Sequence, residues 1–409
     1  MRNETSTSDR TAAGDDAVRP FRVAIPPSQL DDLRERLART RWPATSPGGG
    51  WSRGVPLDYL RRLAAYWAGE FDWRAQEEAV NAVPQSVTTI DGQTVHLLHV
   101  RSPEPGARPL MLVHGWPSSP VEFLRLIGPL TDPRTHGGDP GDAFHLVVPS
   151  LPGYGFSTPL EPGWGNLFRV GQAWLTLMDR LGYDRFAVHG TDVGAGVAGA
   201  LATLAPDRVV GVHLAGTVAA MPFGPPLDPE GLSGADRARA ERFNAYQADG
   251  LGYLHLQATR PQTLAYALTD SPVAQLAWIV EKFHEWTDPA FELPDEAVDR
   301  DQLLTTASVA WFCAAGASSA HAVYEGMQAY RAMTEDQADA AHAGDGEAEP
   351  AGPPMGVAVF AADTTIRSVM DPAGHIGHWS EYGRGGHFPA MEVPDLLVAD
   401  LRRFLRGLL

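Results

Sequence analysis

One stretch of the 409-residue chain gathers residue types that could do covalent chemistry: Arg185-Phe-Ala-Val-His-Gly-Thr-Asp-Val-Gly-Ala-Gly196. An apolar strand pattern leads into Gly190-x-Asp192-x-Gly194, and small residues then open a helix. This is the spacing of a sharp strand-to-helix turn, which projects its central side chain at the edge of a sheet, beside a helix N-terminus that favours negative charge. A carboxylate there could act as a nucleophile; by residue type alone it could equally be a helix cap. No Gly-x-Ser-x-Gly occurs in the chain, so acyl transfer by a serine has no candidate at such a turn. Gly194-Ala-Gly196-Val-Ala-Gly199 also matches a dinucleotide-binding fingerprint, but it begins several residues after the strand. The next strand ends Leu214-Ala215-Gly216, without the acid a ribose would need. These three glycines are therefore read as close packing of helix on sheet.

A nucleophile needs partners, and the chain order nucleophile, acid, histidine puts them downstream. Asp363 follows the strand pattern Val357-Ala-Val-Phe360, where it could fix a histidine tautomer or merely start a turn. His387 stands in Gly385-Gly-His-Phe-Pro389, where two glycines let a loop bring an imidazole beside the turn. Upstream, Leu112-Val-His114-Gly-Trp116-Pro117 follows a core strand. Pro117 has no N–H to give, so the backbone N–H groups of Trp116 and Val193 are the expected donor pair for an oxyanion. His114 and Pro117 are equally compatible with a tight turn.

The elements that must position these residues follow from periodicity. Apolar runs at 110–113, 145–148, 185–188, 209–214 and 357–360 alternate with helical stretches, as in a mostly parallel sheet with helices on both faces. Residues 221–341 break that rhythm with helical, aromatic-rich sequence (Tyr246, Tyr253, Tyr266, Trp278, Trp286, Trp311, Tyr324) and are expected to form a lid over the carboxyl edge of the sheet. The first hundred residues read as an α+β lead-in. It holds a helix between Pro26 and Arg41 capped by Ser28, with Leu30, Leu33 and Leu37 on one face, then a helix after Pro56. A hairpin turning at Asp91-Gly92 completes it. The expected divisions are 1–19 (flexible), 20–100 (N-terminal domain), 101–220 and 355–409 (the two parts of the core) and 221–341 (lid, followed by an acidic flexible loop to about 354); flexibility is expected from Glu335 onward.

Composition narrows the partners. With 32 Lys+Arg against 50 Asp+Glu, a formal charge of −18, nucleic acid and anionic membrane surfaces are disfavoured and neutral ligands favoured. A single cysteine, Cys313, excludes an internal disulfide and a cysteine-rich metal site, as expected in the cytosol. The polar N-terminus and the absence of long apolar runs predict neither export nor a membrane anchor. No metal and no cofactor are expected. The oligomeric state is open, a homo-oligomer included.

Taken together, these motifs resemble the microsomal-type epoxide hydrolases, from about Phe21 to the C-terminus with the acidic insertion unmatched. Arg39-Thr-Arg-Trp-Pro43, Gly54-Val-Pro56 and Phe71-Asp-Trp-Arg74 look like that family's N-terminal domain, which wraps an α/β-hydrolase core. In the lid, Gly252-Tyr-Leu-His-Leu-Gln-Ala-Thr-Arg-Pro-Gln262, Asp270-Ser-Pro-Val273, Ala277-Trp-Ile-Val-Glu-Lys-Phe283 and Ser318-Ser-Ala-His-Ala-Val-Tyr-Glu325 match family motifs. The resemblance implies an α/β-hydrolase fold and a hydrolase acting on an ether bond, turning a small hydrophobic epoxide and water into a diol. It gives Asp192 the role of nucleophile, His387 that of base and Asp363 that of its charge partner. Tyr253 and Tyr324 become the acids that hold the epoxide oxygen. Two departures stand out: Val193 replaces the family's usual Trp, and Asp363 its frequent Glu. A haloalkane dehalogenase, which shares the aspartate nucleophile, would need halide donors where this chain offers tyrosines. A binding protein on the same fold would lack the nucleophile or histidine, and both are present.

Overall fold

A computed structural model describes residues 16–215, 224–343 and 352–408, with side chains of 335–343 left out. Nine strands form one sheet in the order β1-β2-β3-β5-β4-β6-β7-β8-β9. These are β1 (Arg19–Phe21), β2 (Gln85–Ile90), β3 (Gln93–Val100), β4 (Arg108–Val113), β5 (Phe144–Pro149), β6 (Phe186–Thr191), β7 (Val209–Ala215), β8 (Met355–Val359) and β9 (His378–Glu381). Pairing is antiparallel from β1 to β5 and parallel from β5 onward. Alternate residues of one strand serve opposite faces: Met111 and Val113 join one apolar core, Leu110 and Leu112 another. With both faces covered, the strands must be apolar throughout, which is why they read as continuous runs.

Helices α1 (Pro27–Ala38), α2 (Leu57–Gly69) and α3 (Trp73–Asn81) precede the hairpin, and α4 (Leu124–Thr131), α5 (Leu167–Leu181) and α6 (Val193–Leu204) flank the sheet. The lid comprises α7 (Gly234–Ala245), α8 (Gly252–Thr259), α9 (Pro261–Asp270), α10 (Pro272–Trp286), α11 (Pro294–Ala297), α12 (Arg300–Phe312) and α13 (Ala315–Ala343). Short helices α14 (Arg367–Met370) and α15 (Pro389–Glu392) lead to the final α16 (Pro394–Leu405). No single described helix is long and apolar enough to cross a membrane.

The N-terminal segment divides its work. Its strands extend the sheet, so a boundary at residue 100 cuts through hydrogen-bonded neighbours β3 and β5. Its helices share a core with the lid: Leu30, Leu33, Leu60, Leu63 and Trp67 pack with Leu276, Ile279, Phe283, Leu303 and Leu304. Tyr59 and Tyr66 donate to Asp295 and Asp301 at 2.8 and 2.9 Å, and Trp67 Nε1 donates to Ser308 at 2.9 Å. The lid is thus clamped from outside by residues more than two hundred positions away.

Four expectations need correction. Pro26, not Ser28, is the N-cap of α1, because Pro27, whose fixed φ and missing N–H suit the first helical position, opens the helix and puts Ser28 inside it. Of the stretch expected to be flexible at the N-terminus, Asp16 is tied to Arg180 at 2.8 Å and β1 starts at Arg19; residues 1–15 lie outside the described residues. Helix α13 runs on to Ala343, into the stretch expected to be flexible from Glu335, since Glu, Gln and Ala have high helix propensity; residues 344–351 lie outside the described ones. Only Gly194 of the three small-residue glycines packs on the sheet, where an added Cβ would lie 2.1 Å from the Val113 carbonyl oxygen; Gly196 meets Leu167 and Gly199 faces open space.

Burial makes this fold sensitive to pH in both directions. It lowers His96 to about 3 and His99 and His114 to about 4, and lowers His189 and His213 as well, from an ordinary 6.5. The unfolded chain binds those protons first, so stability falls as pH drops from about 6.5 toward 4. Glu122 and Glu392 are pushed up to about 8 by burial. Their protons are held in the folded state and lost from the unfolded one above about 4.5, so their contribution declines as pH rises toward 8. The histidines outnumber the glutamates below 6.5, and the glutamates act alone above it. Thermal unfolding between pH 4.5 and 9 should therefore peak near pH 6.5 to 7; a melting temperature still rising below pH 6 would contradict this.

Candidate active site

Strand β6 ends at Thr191 and α6 begins at Val193, leaving Asp192 alone to make the turn. Its φ of 52° is a left-handed backbone that a side chain rarely adopts. The glycines around it explain how the turn closes. An added Cβ on Gly190 would lie 2.2 Å from the Gly194 carbonyl oxygen, and one on Gly115 would lie 2.3 Å from Asp192 Cβ. Backbone therefore touches backbone within the reversal, and the Gly115 backbone lies directly against the Asp192 side chain.

The loop after β4 presses on the carboxylate. Trp116 N–H donates to Asp192 Oδ1 at 2.8 Å. Val193 opens α6, so its N–H has no acceptor within the helix. His114 fixes this loop. Its Nε2 accepts from Leu151 N–H at 3.1 Å, which leaves Nδ1–H to donate to the Gly115 carbonyl at 3.0 Å. Burial lowers its pKa to about 4, so it remains neutral in that tautomer. The two readings left open for His114 resolve in favour of a structural pin.

On the other side, His387 Nε2 lies 3.8 Å from Asp192 Oδ2, too long for a hydrogen bond. Its loop is held by the lid: His387 N–H donates to the Trp286 carbonyl at 2.8 Å, and Gly385 N–H donates to Asp288 at 2.7 Å. Glu392 accepts from Phe388 N–H and Asp288 N–H at 3.0 and 2.8 Å. Gly386 is required because a Cβ would lie 2.3 Å from the Trp286 carbonyl oxygen. Burial lowers the His387 pKa, and the Asp192 charge opposes that shift. Asp363 is buried after β8 and accepts from Phe360 N–H at 3.3 Å; its loop joins that of His387 through Ala362 N–H and the Gly385 carbonyl at 3.1 Å.

Aromatic rings roof the carboxylate. Tyr253 on α8 stacks on Trp116 with centroids 4.9 Å apart, and Trp286 meets Tyr253, Trp116 and His387 at 5.4, 5.8 and 4.8 Å. The Tyr253 hydroxyl shares a 3.0 Å hydrogen bond with Tyr246, not with Tyr324. Burial raises the Tyr253 pKa, and Tyr246 and the Asp192 charge raise it further. Tyr324 is half-buried on α13, which packs beside α8. Its neighbour Glu325 ties that turn to the Gly163 and Gly165 N–H groups at 3.0 and 2.8 Å. Sequence reading passed over Tyr246, Trp286, Asp288 and Glu392 as site-forming residues; the Trp286-Thr-Asp288 step at the end of α10 was the available signal.

Residues of metal-ligating type gather elsewhere. His213, His378 and Asp400 lie with ligand atoms within 4.8 Å of one another. Both Nε2 atoms bond to Asp400 Oδ2, at 2.9 and 3.1 Å, so the trio acts as a hydrogen-bonded staple of α16 to β7 and β9.

The chain matches the family model described as "Epoxide hydrolase N terminus" over residues 18–123 and the one described as "alpha/beta hydrolase fold" over 108–283. It is 41% identical to a candidate epoxide hydrolase of Stigmatella aurantiaca (strain DW4/3-1), over 96% of this chain and 85% of that one. It is 33% identical to epoxide hydrolase 1 of Sus scrofa, over 97% and 90%. Among solved structures, the Aspergillus niger epoxide hydrolase superposes with a TM-score of 0.79 at 29% identity, covering 96% of this chain and 97% of that one. The juvenile hormone epoxide hydrolase of the silkworm Bombyx mori gives 0.79 at 27%, covering 96% and 95%.

The packing around the turn separates two glycines sharply. Gly115→Ala forces a Cβ against Asp192 and should cost about 1–3 kcal/mol, the range for overpacking. Gly199→Ala, an interior helix position with nothing within 4 Å, should stabilise by roughly 0.5–1 kcal/mol. Urea unfolding of both variants checks this; equal effects would contradict the close approach of Gly115 to the Asp192 side chain.

Proposed function

The chain belongs to the microsomal-type epoxide hydrolases, and on that premise we propose that Asp192 opens the epoxide ring and His387 drives hydrolysis of the resulting ester. The observation that carries the assignment is the fixed orientation of Asp192. Trp116 N–H holds Oδ1, leaving Oδ2 toward His387.

Oδ2 attacks a ring carbon, the C–O bond breaks, and the leaving oxygen takes a proton from Tyr253 or Tyr324. The product of this step is an alkyl ester on Asp192. Water then gives a proton to His387 Nε2, and the hydroxide adds to the ester carbonyl, whose oxygen is met by the N–H groups of Trp116 and Val193. Collapse restores the Asp192 carboxylate and releases a vicinal diol. The Asp192 proton passes to the departing alkoxide, and the His387 proton returns to the tyrosinate. Asp363, next to the His387 loop, is proposed to orient the imidazole.

Electrostatics time the two steps. The Asp192 charge supports protonation of His387, and esterification removes that charge, so the imidazole becomes a readier neutral base when water must be activated. Trp116, Leu268, Trp278, Ile279 and Val309 line a small cavity together with Ser118, Gln275 and Thr306, and its apolar part supports a hydrophobic substrate. The single cysteine, Cys313, supports a cytosolic setting.

A His387→Gln variant should still be alkylated and fail to turn over. After exposure to styrene oxide its intact mass should rise by that of the whole epoxide, with the adduct mapping to the peptide containing Asp192. An adduct elsewhere, or normal diol release by the variant, would overturn the roles. With His387 intact, ester decay measured by rapid quench should lose rate only below the ordinary histidine value of about 6.5. Loss of rate beginning above that value would contradict the lowered imidazole.

A further inference from the structure

Lysine is almost never buried unless paired, yet Lys282 on α10 is only 2% exposed. Its Nζ sits 2.8 Å from Glu281 and 2.6 Å from Glu285, two partners that are themselves partly exposed. Pairing alone would not require burial, because either glutamate could meet a lysine at the surface. What the buried position adds is a ring: the ammonium lies 4.6 Å from the Tyr253 ring centroid and 5.8 Å from that of Trp286.

We propose that Lys282 is a positioning residue that makes Tyr253 a stronger proton donor by holding an ammonium against its ring. The proposal rests on the reading of Tyr253 as an acid in ring opening. A phenol that donates to a leaving oxygen gathers negative charge, and a cation at its ring stabilises that charge more than it does the neutral phenol. The surroundings otherwise oppose donation: burial, Tyr246, the Asp192 carboxylate and Glu285 all raise the Tyr253 pKa. Trp286 lies against both Tyr253 and His387. Lys282 thus sets a cation against a phenol faced by acidic groups, and the same ring stacks on Trp116.

The step is isolated in the His387→Gln background, where ester forms and is not hydrolysed, by rapid-quench measurement of alkylation with styrene oxide. Lys282→Met should slow alkylation about thirtyfold, the scale of a desolvated cation–π contact. Lys282→Arg should keep most of the rate. Replacing Tyr253 by a ring-fluorinated, more acidic tyrosine should restore the rate of the Lys282→Met protein, which a purely structural role would not allow. With His387 present, ester decay should be unchanged in Lys282→Met. If Tyr253→Phe alkylates at the parent rate, the acid role of Tyr253 falls and this inference with it. If Tyr253→Phe is slow while Lys282→Met is not, only the role of Lys282 falls. Equal losses in the Met and Arg variants, unrelieved by fluorination, would also overturn it.

Discussion

Everything at this site depends on one crowded contact, where the end of β4 and the start of α6 meet backbone to backbone around Asp192. The left-handed φ of Asp192 is costly, and it persists because Gly190, Gly194 and Gly115 let the chain approach closer than any side chain would permit. That approach delivers Trp116 N–H to Oδ1 and sets the N-terminus of α6, with its positive dipole end, at the carboxylate. The nucleophile is therefore oriented by rigid backbone and not by a mobile side-chain partner. Pre-organised donors of this kind need no rearrangement when charge develops.

The rest of the molecule brings the other groups to that contact. The N-terminal helices bury their apolar faces against α10 and α12, so the lid is held between them and the sheet. Helix α10 then works at its far end, where Trp286 roofs the carboxylate and offers its carbonyl to His387, while Asp288 and Glu392 tie the histidine loop. Lid position and base position are thus one structural variable. The same helix carries Lys282 one turn earlier, against Tyr253.

What could be read in the sequence was what local spacing encodes. Gly-x-Asp-x-Gly specifies a turn because only glycine fits, and Asp91-Gly92 specifies the hairpin through two positive φ angles. The buried strands announced themselves as apolar runs. Helix α3 went unread although Asp72 caps it at Ala75 N–H, because its nine residues fall between stronger signals. Strand β9 has three half-exposed residues and one exposed residue, and no apolar run to show. The box of Tyr246, Trp116, Trp286 and Lys282 was illegible for another reason: its members meet across gaps of up to 170 residues, and no periodicity reports such contacts. Gly199 shows the converse error, a small residue read as packed that faces open space.

The central claim, that an oxygen of Asp192 and not of water attacks the epoxide, is tested most directly by a single turnover in ¹⁸O-water with enzyme in excess. The account predicts a first-turnover diol free of solvent ¹⁸O, with the label appearing in the Asp192 carboxylate. A first-turnover diol carrying ¹⁸O, with an unlabelled Asp192, would mean that water attacks the ring directly and would contradict it.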